Sequence, residues 1–298
     1  MLTLFVQILC MRSLLMFKQT KWLWCLCACV VFIACNNTPE NTSDYNSNTI
    51  VENKQSIKPE IINPDKAKFE RKPFIYDSTK TYVYLTFDDG PHGGTKDCFE
   101  LCKQMGVKAT FFMVGRHATD KWGKQLVQNI RSAYPQILLA NHSYTHAKEQ
   151  YNYFYKHVDI AEQDFYKAQD SLNVPYKIIR LPGNNAWMRN GIMRANTLVK
   201  PICNKLDSAG YNVIGWDVEW RFTRGASYPV QTPAKVASEV HYAANNHSYV
   251  PKHVMILTHD RMFRTPAYKD SLAKFIGLIQ QNPNYVFETV DHYPGLKW

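Results

Sequence analysis

From about Lys72 onward the chain repeats one pattern, a short apolar run followed by a longer stretch of helical spacing, and that alternation leaves few folds open. Seven apolar runs of strand length occur, at 82–87, 109–114, 137–140, 177–180, 211–216, 253–257 and 285–290. Helices are expected between them at 95–105, 124–132, 157–172, 201–209, 233–244 and 267–280. Strands alternating with helices predict parallel pairing, because each helix carries the chain back to the same end of the sheet. Two architectures satisfy the pattern, a parallel barrel with outer helices and an open doubly wound sheet. No Gly-x-Gly-x-x-Gly element follows the first run, which argues against a dinucleotide fold and any nucleotide cofactor.

The polar residues that follow the runs favour the barrel. Asp88 and Asp89, His142 and His146, Arg180, Asp217 and Glu219, then His259 and Asp260 stand at or just after the ends of five different apolar runs. A parallel barrel gathers such strand ends on one rim, where active sites form, whereas an open sheet would scatter some of them. The expected architecture is therefore a TIM-like barrel of about seven parallel strands with outer helices, as a single catalytic domain. The 298 residues, 45% hydrophobic, suffice for its core.

Two of these strand ends carry metal-site chemistry. The run through Tyr84, Leu85, Thr86 and Phe87 stops at the adjacent carboxylates Asp88 and Asp89, then turns through Gly90 and Pro91 to His92. Ionised carboxylates are costly to bury unless a cation or hydrogen bonds compensate them. Downstream, His142 and His146 are four residues apart. On a helix that spacing puts both imidazoles on one face, the logic of other paired-histidine zinc motifs. One carboxylate with two histidines leaves coordination positions open for water, as a hydrolytic metal needs.

The first 35 residues differ from the rest, with no acidic residue, basic Lys18 and Lys21, and an apolar stretch at 22–34 that ends at Cys35. About a dozen apolar residues is short of the roughly 20 a membrane-spanning helix requires, so residues 1–35 read as an export signal, with Met16 as an alternative start. Phe32-Ile33-Ala34-Cys35 resembles a bacterial lipobox, which makes Cys35 the expected lipidation site and membrane anchor; an ordinary signal peptide and an uncleaved anchor are the alternatives. Residues 36–72 read as a flexible linker, its first part rich in Asn, Ser and Thr, and residues 73–298 as the catalytic domain. The expected location is the cell envelope, on the periplasmic or outer side.

Five of the eight cysteines lie in the leader, leaving Cys98, Cys102 and Cys203, and no disulfide framework is implied. Cys98 and Cys102 read as helix packing. Loss of Arg12, Lys18 and Lys21 with the leader lowers the net charge from +10 to +7, a balance suited to acidic surroundings. No phosphate loop or basic nucleic-acid motif is present, so nucleic acid is not an expected partner. The basic stretch 115–136, with Arg116 and Lys124 beside Trp122, reads as a surface helix rather than a wall for an acidic glycan. His117, His157, His241, His247, His253 and His292 have no motif partners and read as surface or packing residues. No Gly-x-Ser-x-Gly elbow supports a serine nucleophile.

Five ordered motifs within about 80–290 resemble the polysaccharide deacetylases with a NodB-homology domain, carbohydrate esterase family 4. They are Thr86-Phe87-Asp88-Asp89-Gly90-Pro91, His142-Ser143-Tyr144-Thr145-His146, Arg180-Leu181-Pro182-Gly183, Trp216-Asp217-Val218-Glu219-Trp220 and Ile256-Leu257-Thr258-His259-Asp260. The resemblance implies a distorted (β/α) barrel that removes acetyl groups from N-acetylated polysaccharide, peptidoglycan or a chitin-like glycan, with one divalent metal, zinc first and cobalt or nickel as alternatives. It implies Asp88 as general base, Asp89, His142 and His146 as metal ligands, Arg180 as the holder of the base, and His259 as general acid. Trp216 and Leu257 would line an acetyl pocket, and His92 would touch substrate. Either Asp217 or Glu219 would orient His259, with Glu219 preferred by spacing. The third motif departs from the family in Gly183-Asn184-Asn185, and the fourth is shortened. Competing readings are a catalytically silent glycan-binding lipoprotein, an O-acetyl esterase on a xylan-like glycan, and a metal phosphoesterase, which would need ligands for a second ion.

Overall fold

The computed structural model describes residues 68–70 and 72–298. The leader, Cys35 and nearly all of the expected linker lie outside the described residues. The ordered contacts begin before residue 73: Lys68 Nζ donates to the Ser132 carbonyl at 2.7 Å, and the Phe69 ring lies 5.1 Å from Tyr134, with the Arg131 guanidinium 4.6 Å from its centroid.

Ten strands make one sheet among the described residues: β1 (Thr81–Asp88), β2 (Ala109–Met113), β3 (Ile137–Asn141), β4 (Ile178–Ile179), β5 (Trp187–Arg189), β6 (Ile192–Arg194), β7 (Asn212–Val213), β8 (Val218–Glu219), β9 (His253–His259) and β10 (Tyr285–Phe287). The order is β6-β5-β7-β4-β3-β2-β1-β9-β8, with β10 beside the first half of β1. All pairings are parallel except those of β5, which runs antiparallel to β6 and β7. The curled, mostly parallel sheet is the expected distorted barrel, left open at β8 and β6.

Around it lie α1 (Gly93–Gln104), α2 (Lys121–Ser132), α3 (Tyr151–Lys156), α4 (Val158–Ser171), α5 (Lys200–Ser208), α6 (Pro233–Asn246) and α7 (Pro266–Gln280). Polar residues start two of them: Asp120 accepts from the Gly123 amide at 2.7 Å, and Thr232 from the Lys235 amide at 3.2 Å ahead of Pro233. The single helix expected over 157–172 begins one residue later as α4, separated from α3 at His157, whose ψ of 74° is not helical.

All eight residues of β1 are buried. Val83, Leu85 and Phe87 face outward into a core shared with α1 and α7, where Phe99, Cys98, Cys102, Leu272 and Phe275 also pack. Tyr82 and Tyr84 face inward, against Phe112, Leu138, Met255 and Tyr293. A strand buried on both faces needs a continuous apolar run, and its period of two puts Thr86 and Asp88 on the same inward face as Tyr84. Cys203 on α5 belongs to a separate cluster, and all three thiols are free and buried. No described helix is long and apolar enough to cross a membrane.

Candidate active site

Register alone brings the first and last motifs together. In the β1–β9 pairing Asp88 stands directly beside His259, and Asp88 also pairs with Phe112 of β2. Asp88 is buried, and Arg180, itself fully buried just beyond β4, donates from Nη1 to its Oδ1 at 2.9 Å. The remaining donors of Arg180 are used as well: Nε reaches the Ile214 carbonyl at 3.3 Å, Nη2 the Gly215 carbonyl at 3.0 Å, and Nη1 also contacts Thr86 Oγ1. The guanidinium lies 4.3 Å from the Phe112 ring. Burial pulls the Arg180 pKa down while the Asp88 charge opposes it. The planar fork of an arginine suits this multiple anchoring, and lysine could not reproduce it.

Asp89 leaves the strand with φ of 81°, which aims its carboxylate across the barrel mouth toward β3. Its Oδ1 lies 3.4 Å from His142 Nε2 and 3.1 Å from His146 Nε2. The two histidines do not share a helical face, contrary to the expectation from their spacing. His142 follows β3 directly, and the chain then turns through left-handed residues, Ser143 (φ 68°) and His146 to Glu149 (φ 48–60°), so the loop folds His146 back toward Asp89.

The second nitrogen of each ring fixes its tautomer. His142 Nδ1 lies 2.9 Å from the Arg180 carbonyl, which can only accept, and His146 Nδ1 lies 2.6 Å from Glu149 Oε1. Both Nδ1 atoms therefore carry protons, and both Nε2 lone pairs converge on a carboxylate oxygen, with the donor atoms of the three residues all within 4.8 Å of one another. Asp89 Oδ1 is buried and has no hydrogen-bond partner. Burial pushes the Asp89 carboxyl up, and positive charge on the facing side, here that of the imidazoles in their protonated form, outweighs it and holds the group well below the usual carboxylate range. Three converging electron-pair donors with no proton assigned among them fit a divalent cation, and nitrogen and oxygen donors suit zinc.

His259 closes the other side. Its Nε2 lies 3.8 Å from Asp89 Oδ2, and its ring packs edge-on to Phe222 at 4.7 Å. Burial lowers its pKa, opposed by Asp89 and Asp88. Its Nδ1 is buried without a hydrogen-bond partner, so neither acid expected to orient it does so here. Asp217 is turned to the backbone, accepting from the Tyr249 amide at 2.7 Å and the Met255 amide at 2.8 Å. Glu219 pairs in register with Leu257, two residues short of His259, and lines the cleft without bonding to Nδ1.

The cleft encloses about 600 Å³, and Trp216 and Leu257 both line it. The unusual third motif supports that wall: Asn185 Nδ2 donates to the Trp216 carbonyl at 2.9 Å, and its Oδ1 accepts the Trp216 amide at 3.1 Å. His92, expected at the substrate, sits instead at the start of α1 with Nε2 2.6 Å from Asp260 Oδ1. Gly90 lets the turn pack closely there, since a side chain at that position would strike Asp260 Oδ2 and Thr95 Oγ1.

Four contacts were not expected from sequence. Glu149 bonds His146, Tyr151 donates to Glu149 Oε2 at 2.6 Å, His117 Nδ1 donates to the Asp89 carbonyl at 2.8 Å, and the Arg261 guanidinium is ion-paired with Asp89 Oδ2. Arg261 stands two residues beyond His259, and Glu149 three beyond His146, so motif neighbours carried the only signal.

Residues 76–193 match the family model described as polysaccharide deacetylase. The chain is 25% identical to the chitin disaccharide deacetylase of Vibrio alginolyticus, over 76% of this chain and 74% of that protein. It is 26% identical to the peptidoglycan-N-acetylglucosamine deacetylase of Bacillus cereus, over 72% of each. Among solved structures, a carbohydrate esterase family 4 enzyme from Streptococcus mutans superposes with a TM-score of 0.55 at 22% identity, covering 70% of this chain and 86% of that one, which shows the same fold. Residues 76–193, which carry the first three motifs, are thus a match to polysaccharide deacetylases, and the chain around them is similar in sequence and fold to deacetylases and esterases of that kind.

Proposed function

We propose that the cleft hydrolyses the acetamide of an N-acetylglucosamine unit in a cell-envelope or chitin-like glycan, giving acetate and a free amine. The observation that carries this reading is the meeting of three converging ligand atoms with an arginine-held carboxylate and a histidine on the opposite side. A divalent ion held by Asp89, His142 and His146 would supply Lewis acidity toward the amide carbonyl and toward water.

The protein's own groups divide the proton work. Asp88, oriented by Arg180, takes a proton from the attacking water as its oxygen bonds to the carbonyl carbon. His259 gives a proton to the departing nitrogen as the carbon–nitrogen bond breaks, which leaves acetate and the amine. Trp216 and Leu257 offer an apolar wall to the acetyl methyl and keep bulk water from it. We also propose export and lipid anchoring through Cys35, supported by the basic and apolar leader; labelled palmitate incorporated by the native chain and lost in Cys35→Ser would test it.

The test of the activity is acetate release from N-acetylglucosamine oligomers and from peptidoglycan by the full chain. Release that needs a divalent metal, stops with chelator and is lost in Asp88→Asn supports the reading. No release from the folded, zinc-loaded protein rejects it, and release only from acetylated xylan would make it an O-acetyl esterase.

A further inference from the structure

The sheet stops at β8, and among the described residues no strand pairs with its outer edge. Against that edge, bordered by α6, lies a second cavity of about 470 Å³, within the roughly 300–1,000 Å³ usual for small-molecule sites. Glu219 lines both this cavity and the catalytic cleft, so the two meet at one side chain. The wall between them is braced: the Gln231 amide donates to the Glu219 carbonyl at 2.8 Å and accepts the Arg221 amide at 2.8 Å.

The cavity's chemistry suits a sugar ring. Tyr242 on α6 is 61% exposed, and its ring lies 5.2 Å from that of His247 at 49°. A pyranose presents an apolar C–H face and a rim of hydroxyls, which an exposed aromatic body with nearby donors and acceptors can meet together. Arg221 offers a charged fork, and Lys235 and Glu239, only loosely paired at 3.7 Å, offer a donor and an acceptor. A polymer with one unit in the catalytic cleft must also carry its neighbouring units out past the rim. We infer that the cavity between β8 and α6 is a second glycan subsite, which seats a neighbouring sugar of the same chain on Tyr242 beside Arg221. This rests on the deacetylase reading above and adds a preference for longer chains.

The test is the affinity of the chelator-treated full chain for N-acetylglucosamine oligomers of two to six units, measured calorimetrically. Affinity is expected to rise about tenfold, 1.4 kcal/mol, once the oligomer is long enough to span both cavities. Tyr242→Ala and Arg221→Ala should each remove most of that gain, while Tyr153→Ala, a tyrosine 55% exposed on α3, keeps it. An affinity independent of length, or a gain untouched by Tyr242→Ala, overturns the subsite. Acetate release by the metal-loaded wild type, assayed in parallel, separates the two failures. Release without a length effect rejects the subsite alone, and no release from any oligomer rejects the deacetylase reading and the subsite with it.

Discussion

His146 Nδ1 and Glu149 Oε1 stand 2.6 Å apart, closed by a run of four left-handed residues that folds the glutamate back onto the imidazole. Tyr151 in turn donates to the other oxygen of Glu149 at 2.6 Å, so the acid is held from both sides. A carboxylate on the far nitrogen fixes the tautomer and raises the basicity of the ligating one. Glu149→Ala is expected to weaken zinc binding about 10- to 100-fold, with Glu149→Gln between it and the wild type. Competition against a chromophoric chelator measures this directly, and an unchanged affinity in Glu149→Ala would remove the role.

The same loop shows where sequence reading stopped. The pair His142 and His146 was legible from residue type, and its convergence on Asp89 is present, but spacing suggested a helical face where the chain is left-handed at His146 to Glu149. The end of β1 was legible because a strand buried on both faces must be apolar until it reaches the rim. The β5–β6 hairpin is not among the expected strands, its strands being three residues each, although Asn190-Gly191 with φ of 46° and 75° is the turn pair such hairpins prefer. The partner of His259 was not legible at all, since which acid faces an imidazole depends on strand register, and β8 has only two residues to reveal it.

Arg180 is expected to matter to stability as much as to chemistry. Its removal leaves the buried Asp88 carboxylate without its guanidinium, and Thr86, Ile214 and Gly215 without a donor. Breaking a buried pair from one side costs about 3–5 kcal/mol, so Arg180→Ala should lower the urea midpoint markedly and abolish acetate release. Arg180→Lys keeps the charge but not the fork, and should fold better while remaining at least about tenfold slower. Equal unfolding midpoints for Arg180→Ala and wild type would contradict the account.

Gly94 is required by close approach. A Cβ there would lie 2.1 Å from the Asp260 carbonyl oxygen and 2.8 Å from its carbon, both backbone atoms immediately after His259. Gly94→Ala must therefore push α1 away from the end of β9. A loss of about 1–3 kcal/mol is expected, as for other overpacked sites, together with slower acetate release because His259 moves with its neighbour. Gly93, where an added Cβ meets nothing within 4 Å, is the control, and Gly93→Ala should unfold at the wild-type urea concentration. Similar losses at the two positions would show that helix propensity, not contact, sets the cost.

His253 gives the fold an acid-sensitive point far from the cleft. Its ring stacks on Tyr82 at 5.1 Å, its Nδ1 lies 2.9 Å from the Tyr84 hydroxyl, and Tyr76 and Tyr293 close the aromatic pocket. Burial, aided by the Arg189 charge, lowers its pKa from 6.5 to about 4. The unfolded chain takes up this proton near 6.5 while the folded chain refuses it until about 4, so the unfolded state binds more protons across that window. The stability this neutral imidazole contributes is thus complete above pH 6.5 and is lost as pH falls toward 4. Allowing for solvent screening, the loss is on the order of 1–2 kcal/mol. Urea unfolding of wild type and His253→Phe at pH 7.5 and 4.5 isolates it, because other titrating groups act on both proteins. The wild type should lose more stability than the variant over this interval. Equal losses would mean that the His253 ring accepts its proton in the folded state as readily as in the unfolded one.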